Sequence, residues 1–280
     1  MILLVLGGDN RQRYLAKLLE EDGHTVLLWG LGQKQEAALE CAGIADCVIL
    51  PLPVSRDGIH LHLPLTSETL TLEELWTVLG KGIVCGGSVS EPMRAAAKEH
   101  GVELLDYFDW EEVQVENAVS TAEGALQTAM AAMDTTIHGA HSLVLGHGRI
   151  GKILAHHLRA LGAQVTVAAR RRSERSWAEA FGCRACSMEE LDQVLGSCEL
   201  IFNTVPSPLL RSVQLKQLRP TCLVIELASV PGGVDLAAAE TLGLRVITAR
   251  GLPGKAAPLS AAAVLRDSIY HILKERGEPI

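Results

Sequence analysis

The sequence predicts an α/β protein of two doubly wound parallel sheets joined by a long helix, with a cleft between the two halves. Three observations predict it. Short apolar runs alternate with helical segments through residues 1–116, and the same rhythm resumes after residue 140. Between them, Asn117–Ile137 carries a helical periodicity without a break. A glycine-rich turn, Gly146-His-Gly-Arg-Ile-Gly151, joins an apolar run to an amphipathic helix.

The elements follow in order. Ile2–Leu6 is apolar, lacks a preceding basic segment and is cut short by Gly7-Gly8-Asp9, so it reads as a first strand and not a signal peptide. Further strands are expected at Thr25–Trp29, Cys47–Leu52, Ile83–Cys85 and Val102–Leu105. Helices are expected at Arg13–Glu21, Gln33–Ala42, Leu72–Leu79 and Glu91–His100. The segment 53–71, with Pro64 and polar ends, reads as a loop suited to carry function. In Asn117–Ile137, Ser120 and Glu123 fit a capping box, and Leu126, Met130, Met133 and Ile137 make a stripe. A second set of strands is expected near Leu143–Leu145, Val165–Val167, Leu200–Thr204, Cys222–Leu227 and Arg245–Thr248. Pro258–Glu275 closes the chain as a helix with Leu265, Ile269, Ile272 and Leu273 on one face. The expected division is a substrate domain at 1–116, a bridging helix at 117–139, a Rossmann domain at 140–257, and a final segment, 258–280, packing back on the first domain.

Bulk properties narrow the function. A chain of 280 residues suggests about two domains. With 48% hydrophobic residues but only 4% aromatic ones, the cores must be aliphatic. A net charge of −8 argues against nucleic acid or an anionic membrane surface as partner. No stretch approaches the roughly 20 apolar residues of a membrane span. Seven scattered cysteines argue against a disulfide framework and for a reducing cytoplasm. Cys183 and Cys186 form a CxxC with no second pair, so no metal site is expected.

The glycine turn carries the chemistry. Gly146 allows the tight turn, Gly148 lets backbone approach a pyrophosphate, and Gly151 lets helix pack on strand. The pyrophosphate sits on the N–H groups opened by His147, Arg149 and Ile150 at the helix start. An NAD site commonly has an acid some 20 residues on, against the ribose 2′-hydroxyl. Here Arg170, Arg171 and Arg172 occupy that place, with no acid before Glu174. Guanidinium groups match a 2′-phosphate in charge and shape, so the expected cofactor is NADP(H).

Five loops would meet ligand at the strand ends. Arg11, in Gly7-Gly-Asp-Asn-Arg-Gln12, is a candidate carboxylate clamp. Ser120 and Thr121, at an expected helix start, are a second. Asn203, Thr204 and Val205 end a strand beside the cofactor. Glu226 stands in an apolar strand, so it must have a partner or a raised pKa, which makes it an acid–base candidate. Lys255, in Gly251-Leu-Pro-Gly-Lys255, is placed to meet an anionic substrate.

Taken together, these segments resemble the A subunits of bacterial dipicolinate synthase over the whole length. The carrying motifs are GGDNRQ at 7–12, PLPVSRDG at 51–58, STAEGAL at 120–126 and GHGRIG at 146–151. FNTVPS at 202–207, ELASVPGGVD at 226–235 and ARGLPGKAAP at 249–258 complete the set. The chain departs from the pattern at His147, where the family has an aromatic, and at Asn10, where Ala is commoner. The resemblance implies an NADP-dependent dehydrogenation of the dehydrated hydroxy-tetrahydrodipicolinate to pyridine dicarboxylate during sporulation. It also implies partnership with a flavoprotein-like B subunit, and a homo-oligomer is expected besides. Clamps at Arg11, Lys255 and Ser120-Thr121 suit the two ring carboxylates. Glu226, a water or a group of the partner remain the candidates for the proton acceptor, with Glu226 and Lys255 taken as catalytic. The competing readings are another NADP-dependent dehydrogenase of a small carboxylate and a non-catalytic NADP-binding subunit.

Overall fold

The computed structural model describes residues 1–33 and 36–278. The chain divides into two compact units: unit 1 is Met1–Asn117 with Pro253–Ile280, and unit 2 is Ala118–Leu252.

Unit 1 runs β1 (Ile2–Leu6), α1 (Asn10–Glu21), β2 (Thr25–Trp29), a 3-10 turn (Leu39–Gly43), β3 (Cys47–Ile49), α2 (Leu72–Val78), β4 (Ile83–Gly86), α3 (Glu91–Glu99) and β5 (Leu104–Asp106). Its sheet has the order β2-β1-β3-β4-β5, all parallel where paired. Leu3–Leu6 are fully buried, as a parallel strand covered by helices on both faces requires. The strand order reverses between β1 and β3, and such a switch point leaves a crevice at the carboxyl ends. Asp9 caps α1 in a reciprocal box with Gln12, which fixes the entry of the helix directly after the Gly7-Gly8 turn.

α4 (Glu111–Ala132) leads from unit 1 into unit 2. Unit 2 continues with β6 (His141–Leu145), α5 (Arg149–Ala160), β7 (Gln164–Ala168), α6 (Arg172–Ala180), β8 (Arg184–Cys186), α7 (Asp192–Leu195), β9 (Leu200–Asn203), α8 (Ser212–Leu215), β10 (Leu223–Glu226), α9 (Leu236–Thr241) and β11 (Arg245–Thr248). The sheet order, β11-β10-β9-β6-β7-β8, is the full six-stranded Rossmann arrangement, with its switch point between β6 and β9. α10 (Leu252–Ala256) and α11 (Pro258–Glu275) end the chain. Within unit 1, Ala262, Leu265, Ile269, Ile272 and Leu273 of α11 join Leu15 and Leu19 of α1 in one buried cluster.

Several local expectations are corrected. α4 begins at Glu111, so the Ser120–Glu123 pair lies in mid-helix and is not a capping box. Glu111 and Glu112 in its first turn favour the earlier start through the helix dipole. The buried stripe is Ala118, Ala122, Ala125 and Ala129 with Leu126, while Met130 is half exposed. The helix expected over 33–42 is reduced to the turn at Leu39–Gly43, and residues 34 and 35 lie outside the described residues, as do 279 and 280 at the end of the final segment. β8 is an additional edge strand, too short to stand out as an apolar run. Lys255 lies on a short helix where a loop is expected. Among the described residues, no helix is long and apolar enough to cross a membrane.

Candidate functional site

Two groups of residues stand at the carboxyl ends of the two sheets. In unit 2, the glycine turn leaves β6 with Gly146 at φ +91°, a conformation costly for side-chain-bearing residues. A Cβ on Gly146 would meet Thr204 Oγ1 at 2.5 Å, and one on Gly151 would meet the Gly146 carbonyl at 2.2 Å. Those two glycines are therefore required by packing within the fold. Gly148 differs. It is the N-cap of α5, exposed, at φ −78°, and a Cβ there would meet nothing within 4 Å. Space is open above the first turn of a twelve-residue helix, which is the cradle a phosphate group needs.

Across the switch point, Thr204 donates from its backbone and its hydroxyl to the Leu145 carbonyl, at 3.0 and 2.7 Å. This fixes the β9 loop against the glycine turn. Arg170, Arg171 and Arg172 follow β7, all exposed, and none has an ion-pair partner among the described residues. Arg175 donates to the Ala169 and Arg170 carbonyls at 2.9 Å and holds that turn. The nearest acid, Glu174, faces inward: its Oε2 lies 3.3 Å from both His147 Nδ1 and Lys152 Nζ. Burial lowers the His147 pKa against the upward pull of Glu174. A groove of about 690 Å³ along the outer face of α5, lined by Val119, Ile153, Ala160 and Phe181 among others, is apolar and reaches the glycine turn through His147.

Asn203 and Glu226 are brought together, but not for proton transfer. Glu226 is 2% exposed at the end of β10. Its Oε1 accepts from Asn203 Nδ2 (2.8 Å) and Ala228 N (2.9 Å). Its Oε2 accepts from Asn203 Nδ2 (3.0 Å), Gly233 N (2.9 Å) and Val234 N (3.0 Å). These contacts fill the carboxylate, so Glu226 ties down the 228–234 loop and has no lone pair to offer a substrate. Asn203 spends its remaining contacts on Val205, accepting from its N–H and donating to its carbonyl. The acid–base expectation for Glu226 is corrected on this ground.

In unit 1, the turn after β1 and the segment at α10 meet. Arg11, 5% exposed, makes a paired hydrogen bond to Asp9 through Nε and Nη2, each at 2.9 Å, and also reaches the Leu52 carbonyl. Burial pushes the Asp9 carboxyl up, but the Arg11 guanidinium outweighs it and holds the group below its ordinary pKa. Arg11 is thus committed to an internal ion pair and is not the open clamp the sequence suggests. Gly254 passes so close to Asp9 that a Cβ would lie 2.5 Å from its carboxylate oxygen. The exposed Lys255 is its neighbour in the chain, so the GGDN turn and the Gly254-Lys255 end of GLPGK lie side by side in unit 1. Ser120 and Thr121 are buried in mid-helix, where their N–H groups belong to the helix ladder, so the helix-start clamp is corrected. His62, from the loop after β3, stands beside Asp9 and Arg11 and accepts from the exposed Arg56, and no pattern in the sequence singles the two out. Only their place in the functional loop, within or just past PLPVSRDG, points toward them.

Residues 3–108 match the family described as the N-terminal domain of the dipicolinate synthase A subunit. Residues 108–230 match the NAD binding domain of D-isomer specific 2-hydroxyacid dehydrogenases. The chain is 28% identical over 284 residues to the A subunit of dipicolinate synthase from Bacillus subtilis, covering 98% of this chain and 96% of that one. The crystal structure of the A subunit of dipicolinate synthase from Bacillus halodurans superposes with a TM-score of 0.87 at 27% identity, covering 97% of each chain. That of the Bacillus subtilis protein gives 0.83 at 27% identity, over 98% of this chain and 96% of the other. A D-lactate dehydrogenase from Escherichia coli shares the fold, with a TM-score of 0.67 at 15% identity, over 100% of this chain and 98% of the other.

Proposed function

We propose, from the premise that this chain is a relative, along its whole length, of the A subunit of dipicolinate synthase, that it dehydrogenates a dihydropyridine dicarboxylate to dipicolinate with NADP⁺. The relatives support an oxidoreductase carrying a nicotinamide-binding dehydrogenase domain. The observation that carries the finer reading is the pairing of an open Gly148 with three exposed, unpaired arginines after β7. The inward turn of Glu174 removes the one acid that would repel a 2′-phosphate.

In this reading the α5 N-terminus holds the pyrophosphate, and Arg170 with Arg171 and Arg172 grips the 2′-phosphate. Thr204 and Val205 border the same turn. When bound, the nicotinamide supplies the acceptor for one hydrogen with its electron pair. Lys255 meets a ring carboxylate at the edge of unit 1. Aromaticity drives the loss of the second hydrogen as a proton, so the chain mainly has to align the ring, an effect worth up to roughly 7–11 kcal/mol. A flavoprotein-like second subunit completes the enzyme, and the chain also self-associates.

The test mixes the protein with freshly generated hydroxy-tetrahydrodipicolinate and NADP⁺, with and without that second subunit, following NADPH absorbance and product mass. NADPH and dipicolinate rising together is the expected result. Their absence from every mixture, despite NADP⁺ binding, discards the substrate.

Replacing Arg170 and Arg171 together by Ala is expected to weaken NADP(H) by at least about 100-fold, since two charged hydrogen bonds at about 1.5–3 kcal/mol each are lost. NAD(H) affinity should change little. An equal loss for both nucleotides, measured by fluorescence titration, discards the 2′-phosphate assignment.

A further inference from the structure

Unit 1 carries a cation that the fold leaves without a counter-charge. Arg56 donates from Nε to His62 Nε2 at 3.3 Å. It has no carboxylate partner among the described residues, because the acids around it are taken. Asp9 is bound by Arg11, and Asp57 accepts from Ser55, Ile59 and His60. The pair stands at a defined place. Gly8 N donates to the His62 carbonyl at 2.9 Å, which seats residue 62 on the turn after β1. That turn is one wall of the β1/β3 switch point, where parallel sheets receive their ligands.

His62 is held neutral there. Burial first, then the charge of Arg56, bring its pKa down to about 4, with Arg11 adding to the fall and Asp9 opposing it. The charged groups facing it are therefore Arg56 from its own loop and Asp9 and Arg11 from the β1–α1 turn. A guanidinium spending its Nε–H on a neutral imidazole makes a weak bond compared with one to a carboxylate. An arriving carboxylate would take that N–H, cancel the field of Arg56 and release the Nε2 lone pair.

We propose that Arg56 and His62 form a carboxylate-binding subsite at the β1/β3 switch point of unit 1, and that His62 takes up a proton from solvent when the carboxylate engages Arg56. The ligand class is a small carboxylate; naming it as one carboxylate of the ring dicarboxylate rests on the function proposed above. On protonation, His62 changes from acceptor to donor and both side chains then face the anion.

The sign of the pH effect follows. The free site has its imidazole pKa near 4, and the occupied site has it higher. Affinity therefore rises as pH falls through the occupied-state pKa, by up to ~10-fold per pH unit, and is flat above it.

The test titrates the full chain with dipicolinate, malonate and inorganic phosphate at about pH 7.5 and about pH 5.5, a span that brackets ordinary histidine. Calorimetry in buffers of different ionisation enthalpy counts protons, and the His62 ring signals are followed by NMR. Dipicolinate binding that tightens at lower pH with proton uptake is expected. Arg56→Gln should lose at least ~10-fold in affinity, and His62→Gln should keep binding but lose the pH slope; circular dichroism checks that both fold. An imidazole signal unmoved by any ligand, or wild-type affinity and slope in Arg56→Gln, overturns the subsite. Response to phosphate alone overturns the carboxylate assignment. Response to malonate but not dipicolinate upholds the subsite and removes the assignment of its ligand to the ring dicarboxylate.

Discussion

Gly148→Val is expected to weaken NADP(H) by at least ~100-fold, about 2.7 kcal/mol, while leaving the fold intact. The separation of the two effects is the point of the experiment. Gly148 sits at φ −78° and ψ −163°, a conformation open to any residue. Its Cβ would meet no protein atom within 4 Å. The cost to the fold is therefore limited to exchanging a glycine for a poor helix cap, on the order of 1 kcal/mol or less. The valine methyl groups instead fill the space where the pyrophosphate would approach the α5 N–H groups. Gly151→Val is the contrasting change: its Cβ would meet the Gly146 carbonyl at 2.2 Å, so helix and turn must part and the unit should unfold more readily. Nucleotide titration beside a thermal melt distinguishes them. A Gly148→Val protein that still binds NADP(H) would move the dinucleotide site elsewhere.

Much of this was legible in the sequence because it depends on local pattern. The runs Ile2–Leu6 and Thr25–Trp29 appear as strands with their expected bounds: the first is buried and reads as a continuous apolar segment, and the second is a half-exposed edge strand with the β-branched and aromatic content strands favour. The glycine turn was legible because each glycine answers a steric demand set by the strand–turn–helix geometry. What escaped depends on partners distant in the chain. Ser120 and Glu123 satisfy the spacing of a capping box, yet the chain enters its helix nine residues earlier, at Glu111. The acids Glu111 and Glu112 favour the earlier start, and burial of the Ala118–Ala129 stripe holds the helix through it. Arg11 carries no sign in the sequence that Asp9 and the Leu52 carbonyl will absorb it. Nor does Glu226 announce its donors, which come from residue 203 on the neighbouring strand and from a loop that turns back on it. The same limit hid Arg56 and His62, whose meaning comes from the turn after β1 on which His62 is seated.

Glu226 gives the second large effect, and it separates a structural carboxylate from a catalytic one. Glu226→Gln changes one oxygen to NH₂ with almost no change in shape. In either orientation of the amide, that NH₂ faces donors: Asn203 and Ala228 on one side, or Asn203, Gly233 and Val234 on the other. Asn203 can turn its own amide only by giving up its paired contacts to Val205. Asn203 keeps its bond to the remaining oxygen, but even with the NH₂ at the Oε1 place the Ala228 N–H and the new NH₂ are both left unsatisfied, and at about 1–3 kcal/mol each the loss is roughly 2–6 kcal/mol. For a unit of this size that lowers the melting midpoint by roughly 5–15 °C. Loosening of the 203–205 turn should weaken NADP(H) in the same variant, because Thr204 is what fixes that turn to Leu145 beside the glycines. A general base predicts the opposite pattern: Glu226→Gln would melt like the native chain and bind NADP(H) normally, but turn over slowly. Paired melting and titration curves for this one variant therefore assign the residue, and a native melting midpoint would return Glu226 to the chemistry.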